Sequence, residues 1–449
     1  MKKSSTGHIV RFGACVAAAG LVTVGMTATP ALADSDQLWI AANPYELVLP
    51  RVVEGGGQAP ATTLTLGLSH DNPAYRVTDG RLTVDISGLA GIAEVTWPEN
   101  CAPAGTTTAV CSVPEVPTTN AGPVKLQVRA AAGAADGATG RVSYQAKATT
   151  TAEGGELVAA ENWTDVKIAS GPDLVLDPPA PVSDVVPGST VPVRFSVANH
   201  GNQPADGIRV DLYVTRGLEL HGLAPQCTAT PIGEGTIKPV TRYECAFDDV
   251  VAPGGTFTLP APLSAKTAPY ALAERIDLGV QPGGGVEDIQ PEGNGAVVGI
   301  TATNTADFAV HGAKATAQAG QTVTVPVTFR NRGPAWVANL GSGDPVAAVD
   351  VTVPRGATAT AVPDACEPRT ADGGWWESGV RTGAPRYLCQ LPMWVAERQT
   401  VTFPFELRID TVVTGAKGAV LLKPPYGDTP LPFDPNRSND RAKLVLNPA

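Results

Sequence analysis

One sequence segment occurs twice in related form, and this repeat restricts the possible fold more than any other feature does. RYECAFDDVVAPGGTFTLP at 242–260 aligns without a gap with RYLCQLPMWVAERQTVTFP at 386–404. The stretch GSTVPVRFSVANHG at 188–201 likewise matches GQTVTVPVTFRNRG at 320–333. Similarity at a regular spacing is typical of chains built from repeated structural units. The sequence therefore predicts that one unit is used more than once.

A third copy lies nearer the N-terminus, where the similarity is fainter. Val84-Asp85-Ile86 precedes Val210-Asp211-Leu212 by 126 residues, and Cys101 precedes Cys227 by the same 126. An asparagine stands before the last strand of each copy, and these are Asn162, Asn294 and Asn439. With boundaries at Gly171-Pro172 and Thr305-Ala306, we expect three units at 34–171, 172–305 and 306–449.

The hydrophobic pattern within the units is typical of β-strands. Val191, Val193, Phe195 and Val197 alternate with polar residues, a period of two that buries one face of a strand. Pro192 and Pro326 both fall on the outer face of these matched stretches, which predicts an edge strand because proline donates no ladder hydrogen bond. Short strands with frequent turn signals in units of this size predict an all-β chain of tandem β-sandwiches.

The N-terminus has the pattern of a cleavable secretory signal peptide at residues 1–33. Lys2, Lys3 and Arg11 form the basic region, an apolar run follows at 12–26, and Ala31-Leu32-Ala33 predicts cleavage before Asp34. Cys15 stands at the start of the apolar run, whereas a lipoprotein cysteine would close it. We therefore interpret Cys15 as part of the discarded leader and expect a secreted, extracellular protein.

Charge and hydropathy narrow the range of partners. The formal charge of −11 becomes −14 when the three basic residues of the leader are removed. A net negative surface argues against nucleic acid and anionic membrane as partners. No later stretch approaches the roughly 20 apolar residues of a membrane span. The last residues show neither a hydrophobic anchor nor a sortase signal, so we expect at most non-covalent association with the cell surface.

The cysteines are predicted to form one disulfide in each unit. The six that remain without Cys15 could pair in 15 ways, and the repeat selects one of these. The pairs are Cys101–Cys111, Cys227–Cys245 and Cys366–Cys389. Export provides the oxidising setting that such bonds need. The alternative is a zinc site, but no Cys-x-x-Cys motif or histidine cluster accompanies these residues.

The third unit resembles a known bacterial surface module. TVTVPVTFRNRGPAWVANL followed by VDVTVPRGATATAV is similar to the conserved repeat domain of unknown function, with its Asn-x-Gly-Pro turn, found in bacterial surface proteins, and to the related CARDB adhesion module. The second unit matches less closely, and the first departs furthest, with LSHDNPAYRV in place of the turn. The resemblance implies tandem immunoglobulin-like (Ig-like) β-sandwiches with a non-catalytic, structural or adhesion role, and it names no ligand.

No catalytic or metal motif stands out. The histidines stand singly, no Gly-x-Ser-x-Gly or phosphate loop occurs, and the scattered carboxylates nominate no glycosidase pair. DPNRSND at 434–440 imitates half of a calcium loop, but its sixth and twelfth positions hold Asn439 and Val445 where that loop needs Gly and Glu. We therefore expect no enzyme activity, no cofactor and no metal, and we interpret 434–440 as a structural turn.

The segment between Cys366 and Cys389 is the most informative difference between the copies. It is five residues longer than its counterpart in the second unit and carries two adjacent tryptophans. Its candidate ligand contacts are Trp375, Trp376, Arg369, Asp372, Glu377 and Arg381. Adjacent residues on a strand face opposite sides, so we expect one ring to pack inward while the other faces solvent.

Two functional classes remain open on the sequence alone. The chain is either a structural spacer, in which both rings cover the end of their own domain, or a module that binds cell-wall polysaccharide or another surface protein through this loop. Exposure of the rings discriminates between these alternatives, because indoles serve as anchors at interfaces.

Overall fold

The computed structural model describes residues 36–52, 59–120, 122–152, 154–232, 239–377, 379–427 and 429–447. These residues form β-strands and three short 3₁₀ turns without any α-helix, so the all-β prediction is confirmed. None of them belongs to a helix long and apolar enough to cross a membrane. The predicted signal peptide lies outside the described residues.

The first unit is a sandwich of two sheets. Its strands are β1 (Leu38–Asn43), β2 (Glu46–Pro50), β3 (Thr62–His70), β4 (Val77–Asp85), β5 (Ala93–Thr96), β6 (Cys101–Pro103), β7 (Thr108–Val116), β8 (Val124–Ala130), β9 (Thr139–Thr150), β10 (Glu156–Val158) and β11 (Asn162–Ala169), with the 3₁₀ turn η1 at Ser87–Leu89. One sheet has the order β1-β3-β8-β5. The other has the order β2-β11-β9-β4-β7-β6, with β10 paired to β9.

The second unit repeats this plan with one of its two layers divided. Its strands are β12 (Leu174–Asp177), β13 (Val182–Val185), β14 (Thr190–Val193), β15 (Ser196–Asn199), β16 (Ala205–Thr215), β17 (Leu218–His221), β18 (Cys227–Ile232), β19 (Val240–Val251), β20 (Thr256–Thr258), β21 (Leu263–Thr267), β22 (Ala273–Pro282) and β23 (Gly295–Ala302), with η2 at Pro291–Gly293. The larger sheet has the order β13-β23-β22-β16-β19-β18. The sheets β12-β15-β20 and β14-β21-β17 form the divided layer.

The third unit has the same two principal layers. Its strands are β24 (Phe308–His311), β25 (Lys314–Ala315), β26 (Thr322–Asn331), β27 (Val337–Ala338), β28 (Ala348–Thr352), β29 (Ala357–Ala361), β30 (Cys366–Arg369), β31 (Arg386–Gln390), β32 (Trp394–Val395), β33 (Thr400–Ile409), β34 (Ala416–Lys423) and β35 (Arg441–Leu446), with η3 at Arg437–Asn439. The sheets are β24-β26-β33-β29 and β25-β35-β34-β28-β31-β30, beside the small pair β27-β32.

One crossing recurs in every unit. An early strand leaves the first layer for the second and pairs in parallel with the last strand of the unit, as β2 does with β11, β13 with β23, and β25 with β35. Each unit also has its own cluster of buried aliphatic and aromatic side chains. Burying a Val, Leu or Phe side chain contributes about 1.5–3 kcal/mol. The chain is therefore a series of Ig-like β-sandwiches, each stabilised by its own core.

The edge-strand prediction holds for only one of the two prolines. Pro192 lies on β14, at the edge of its three-stranded sheet, whereas Pro326 lies on β26 between β24 and β33. The prediction for Pro326 is wrong for the strand as a whole, but β24 pairs only with residues 328–331 of β26, so at Pro326 itself the strand has a neighbour on one side only, where Pro326 faces Pro404. Two residues without N–H groups can face each other where neither donates to its neighbour, so no ladder bond is lost.

The three predicted disulfides are present. Each joins directly opposed residues on two neighbouring strands at the edge of the large sheet, in the β6–β7, β18–β19 and β30–β31 pairs. The Cα atoms are 3.9, 4.0 and 3.8 Å apart. Each bond therefore closes a loop within one layer, and in the third unit this is the loop that carries the tandem tryptophans.

Candidate functional site

The loop between Cys366 and Cys389 is anchored at its base. The disulfide closes the β30–β31 pair. On the return path, Arg381 donates from Nη2 to the backbone carbonyls of Pro363, Asp364 and Cys366 at 2.8–3.1 Å. Arg381 therefore fixes the loop to the turn before β30. It is Arg369, and not Arg381, that lies against the ring of Trp375.

Trp375 is the exposed member of the pair. Its side chain is 76% exposed, and its backbone forms an isolated bridge with Arg369. The Arg369 guanidinium lies 4.4 Å from the centroid of the indole ring, within the range of a cation–π contact. Nη2 of Arg369 also lies 2.6 Å from Oε2 of Glu367. The ring is therefore supported on one face by a cation that is itself held in place.

Trp376 faces the other way. It is half-buried and packs against the core of the third unit, and its Nε1 donates to the carbonyl oxygen of Val380 at 3.0 Å. The alternation expected from the sequence thus separates the two rings, so only Trp375 is presented to solvent. The two tryptophans do not form a joint platform.

The acidic candidates do not contact the exposed ring. Asp372 accepts hydrogen bonds from the Thr370 hydroxyl and from the Gly374 N–H. The Thr370 bond chiefly holds the pKa of Asp372 below its ordinary value. Glu377 is exposed. The site therefore offers an indole ring that is supported on one face by a guanidinium cation, whereas Asp372 stabilises the turn of its own loop.

Residues 434–440 form a hydrogen-bonded turn. Asp434 Oδ1 accepts from the Asn436 N–H at 3.0 Å, and Asn436 Oδ1 accepts from the Ser438 N–H at 3.3 Å. Among the described residues there is no group of three or more His, Cys, Asp and Glu that could hold a metal ion. In a calcium loop, these oxygens of Asp434 and Asn436 would bind the ion. Here they accept hydrogen bonds from backbone N–H groups of the turn.

Sequence reasoning missed the joint between the second and third units. Trp336 of the third unit is only 1% exposed. Its Nε1 donates to Oε1 of Glu274 in the second unit at 2.5 Å, and its backbone N–H donates to the Tyr270 carbonyl at 3.1 Å. Oε2 of Glu274, a buried residue, accepts from the Thr215 hydroxyl and the Gly217 N–H. A buried carboxylate satisfied by both units therefore joins them.

An arginine surrounded by aromatic rings extends this joint. Arg216 of the second unit donates from both Nη atoms to Glu397 of the third, at 3.1 and 3.2 Å. Its guanidinium also lies 4.5 Å from the ring of Tyr270, 5.6 Å from that of Trp336 and 6.0 Å from that of Trp394. Planar arginine suits a site that combines bidentate pairing with stacking.

The repeated sequence segment carried a signal for this joint. Its alignment places Trp394 opposite Val250, and Val250 is 61% exposed in the second unit. A tryptophan replacing an exposed valine in one copy indicates a surface that has gained a contact. The alignment alone does not identify the partner in that contact.

The first and second units meet through a different contact. Gln290 of the second unit accepts from the Val48 N–H at 2.6 Å and donates weakly to the Glu46 carbonyl at 3.4 Å. Both partners lie on β2 of the first unit, so a side-chain amide pairs with a strand edge. Asn202 adds a bond to the Arg51 carbonyl at 2.9 Å.

No protein-family model matches the chain, and no curated protein sequence matches it. Solved structures do. The C-terminal domain of the Streptococcus pyogenes antigen I/II-family protein AspA is 13% identical and matches 62% of this chain and 99% of its own, with a TM-score of 0.18. A putative membrane anchored protein from Corynebacterium diphtheriae is 10% identical, over 91% of this chain and 95% of its own, with a TM-score of 0.17. Part of the N-terminal region of an enterococcal surface protein is 9% identical, over 62% and 94%, with a TM-score of 0.19.

Whole-chain superpositions with TM-scores this low carry no argument about function. The fold assignment depends on the strand pairing within each unit.

Proposed function

We propose that the chain is a secreted, non-catalytic bacterial extracellular protein whose tandem Ig-like units form a structural arm at the cell surface. One observation carries this proposal: the buried contact between Trp336 and Glu274, which fixes the third unit against the second. Packed inter-domain contacts restrict the relative motions that domains otherwise undergo. A fixed arrangement of units is what a spacer needs and what a flexible string of domains lacks.

Small-angle X-ray scattering of the mature chain tests this proposal. The profile should fit one arrangement of the second and third units. In Trp336→Ala it should fit only an ensemble of arrangements, while Trp163→Ala, which changes a partly exposed indole on β11, should match the unchanged chain. A wild-type profile that requires freely jointed second and third units would contradict the proposal.

A second function is favoured by the exposure of Trp375. A 76% exposed indole supported by Arg369 is a preorganised contact surface, and aromatic anchors of this kind serve carbohydrate and protein partners. On this alternative the arm presents its third unit to cell-wall polysaccharide or to another surface protein.

The test of this alternative removes the exposed ring in one variant and changes the arginine that supports it in another. Trp375→Ala should abolish retention of the chain on isolated cell-wall polysaccharide or capture of a surface protein, with little change in unfolding. Arg369→Lys keeps the charge but loses the planar stack, so it should weaken retention less. If Trp375→Ala is retained as well as the unchanged chain, this loop is not the contact surface.

A further inference from the structure

Two carboxylates lie together beside the joint between the first and second units. Asp288 accepts the Leu174 N–H at 2.8 Å with one oxygen and the Gln290 N–H at 2.9 Å with the other. Asp173 is only 4% exposed, and its Oδ1 is buried without a hydrogen-bond partner. An unpaired buried carboxylate oxygen is costly, so this group needs an explanation.

The third unit contains the same arrangement with its partners in place. Asp434 accepts the N–H groups of Phe308 and Asn436, as Asp288 accepts those of Leu174 and Gln290. Its neighbour Asp307, the counterpart of Asp173, accepts the side-chain amide of Asn439 at 2.6 Å and that of Asn436 at 3.3 Å. Two amide donors therefore satisfy the equivalent carboxylate.

The second unit lacks both donors for identifiable reasons. Gln290 stands where the third unit has Asn436, but its side-chain amide is directed to β2 of the first unit and to Glu292. Gly293, the last residue of η2, stands where η3 ends in Asn439, and it has no side chain. The residue that forms the joint is thus one of the two that leave Asp173 unpaired.

The electrostatic setting favours the protonated form of Asp173. Burial first, and then repulsion from Asp288, raises its pKa to about 7. Other titratable groups stand on the elements packed against it, and these are Glu287 beside Asp288, Glu292 in η2, His200 after β15, and Glu274, Arg275 and Asp277 on β22. Among the charged neighbours, Asp288 alone raises the pKa of Asp173. Asp288 is therefore the charge that Asp173 experiences most strongly when it ionises.

We propose that this carboxylate pair makes the joint between the first and second units responsive to pH. With Asp173 protonated, the segment from Asp288 to Gln290 keeps its place and Gln290 holds the edge of β2. When Asp173 ionises, its buried charge repels that of the half-buried Asp288, and the segment that carries Gln290 is displaced. The contact with Val48 is then lost, so the joint loosens.

The direction of the effect follows from linkage. The pKa of Asp173 is above its ordinary value of 3.8, so between about pH 4 and pH 7 the folded chain keeps a proton that the unfolded chain releases. The stability of the second unit therefore falls as pH rises through that range and levels off above about pH 7. The joint itself loosens as pH rises through about 7, where Asp173 ionises in the folded chain.

The experiment is a pH titration of the mature chain labelled with ¹³C at the aspartate carboxyl carbons. One carboxyl signal should titrate near pH 7 and be missing in Asp173→Asn. Hydrogen-exchange protection of the Val48 amide should fall about fivefold between pH 6 and pH 7, because the ionised fraction of Asp173 rises from about one eleventh to about one half, and by less than about twofold from pH 7 to pH 8. In Asp173→Asn this protection should not change with pH.

A restored amide provides the matched control. A Cβ atom at Gly293 would meet its nearest neighbours at 3.6 Å or more, so a side chain can start there without a clash, and Gly293→Asn is designed to supply the donor that Asn439 supplies in the third unit. This variant should move the titration of Asp173 to lower pH and remove the change at Val48, whereas Gly293→Ala should behave like the unchanged chain.

Three results would overturn the proposal. The first is titration of Asp173 below pH 5. The second is protection of Val48 that does not depend on pH, or that Gly293→Ala alters as much as Gly293→Asn does. The third is loss of the titration in millimolar calcium with Val48 still protected, which would show that a cation and not a proton neutralises the pair.

Discussion

The two joints of the molecule are built from different chemistry. Between the second and third units, a buried indole binds a buried carboxylate, and an arginine stacks among aromatic rings. Between the first and second units, one neutral amide pairs with the edge of a strand. A large apolar side chain contributes burial as well as hydrogen bonding, whereas a side-chain amide contributes little beyond its hydrogen bonds. The second joint along the chain should therefore be the stronger.

The largest effect is expected from Trp336→Ala. Truncating a buried tryptophan costs about 3–5 kcal/mol, and Glu274 also loses one of its donors. Denaturant unfolding followed by hydrogen exchange should show the second and third units separating into independent transitions. Trp163→Ala, at a partly exposed ring of the first unit that lies against Arg141, should stay within about 1 kcal/mol of the unchanged chain, because an exposed cation–π contact contributes about 0.5–1 kcal/mol. If Trp336→Ala and Trp163→Ala lowered the free energy of unfolding equally, Trp336 would contribute no more than a surface ring. The claim that the joint between the second and third units is the stronger would then fail.

A smaller effect is expected from Gln290→Ala in the first joint. The part-buried Val48 N–H loses its acceptor; a fully buried unpaired donor costs about 1–3 kcal/mol, so we expect a loss of stability near the lower end of that range. Exchange protection should fall along β2 and remain unchanged in the third unit. Gln281→Ala, which truncates an exposed glutamine on β22, serves as the control. If β2 keeps its protection in Gln290→Ala, other contacts such as that of Asn202 hold this joint.

Much of the architecture could be predicted because it is local. Period-two alternation gave the strands, and the cysteine register gave the disulfides. The alignment of the first unit was displaced by two residues, since Leu82 and not Val84 is paired with Cys111 as Val210 is paired with Cys245. Irregular pairing between Thr78 and Arg81 adds residues without changing the buried face, so a displacement of two escapes notice in the hydrophobic pattern.

The recurrent asparagines were a weaker guide. Asn162 begins β11 and Asn439 ends η3, whereas Asn294 follows η2. The structure therefore aligns Asn294 with Asp440 and not with Asn439. Residues that favour turns recur at strand ends for their local conformation, so their repetition fixes a turn but not its register.

The joints could not be predicted because their partners are distant in sequence. Trp336 and Glu274 are 62 residues apart, Arg216 and Glu397 are 181 apart, and Val48 and Gln290 are 242 apart. Periodicity carries no information about which side chains meet across two separate cores. The candidate loop is an intermediate case. Alternation predicted that Trp375 and Trp376 face opposite ways, but the stacking of Arg369 depends on an isolated backbone bridge from Arg369 to Trp375 across an irregular turn, which periodicity does not encode.

The smallest effect is expected from Arg216→Lys, which separates the charge of the stronger joint from its geometry. Lysine keeps the attraction to Glu397 but loses the bidentate pair and the planar stacking. We therefore expect the free energy of unfolding to fall by about 1 kcal/mol. Arg355→Lys is the matched control, because Arg355 occupies the repeat position of Arg216 and is exposed in the third unit. Denaturant unfolding at low salt and at 1 M NaCl should show a loss that persists for Arg216→Lys, since screening weakens charge but not stacking. If the loss of stability disappears at 1 M NaCl, the arginine contributes to the joint through its attraction to Glu397 and not through contact with the surrounding aromatic rings.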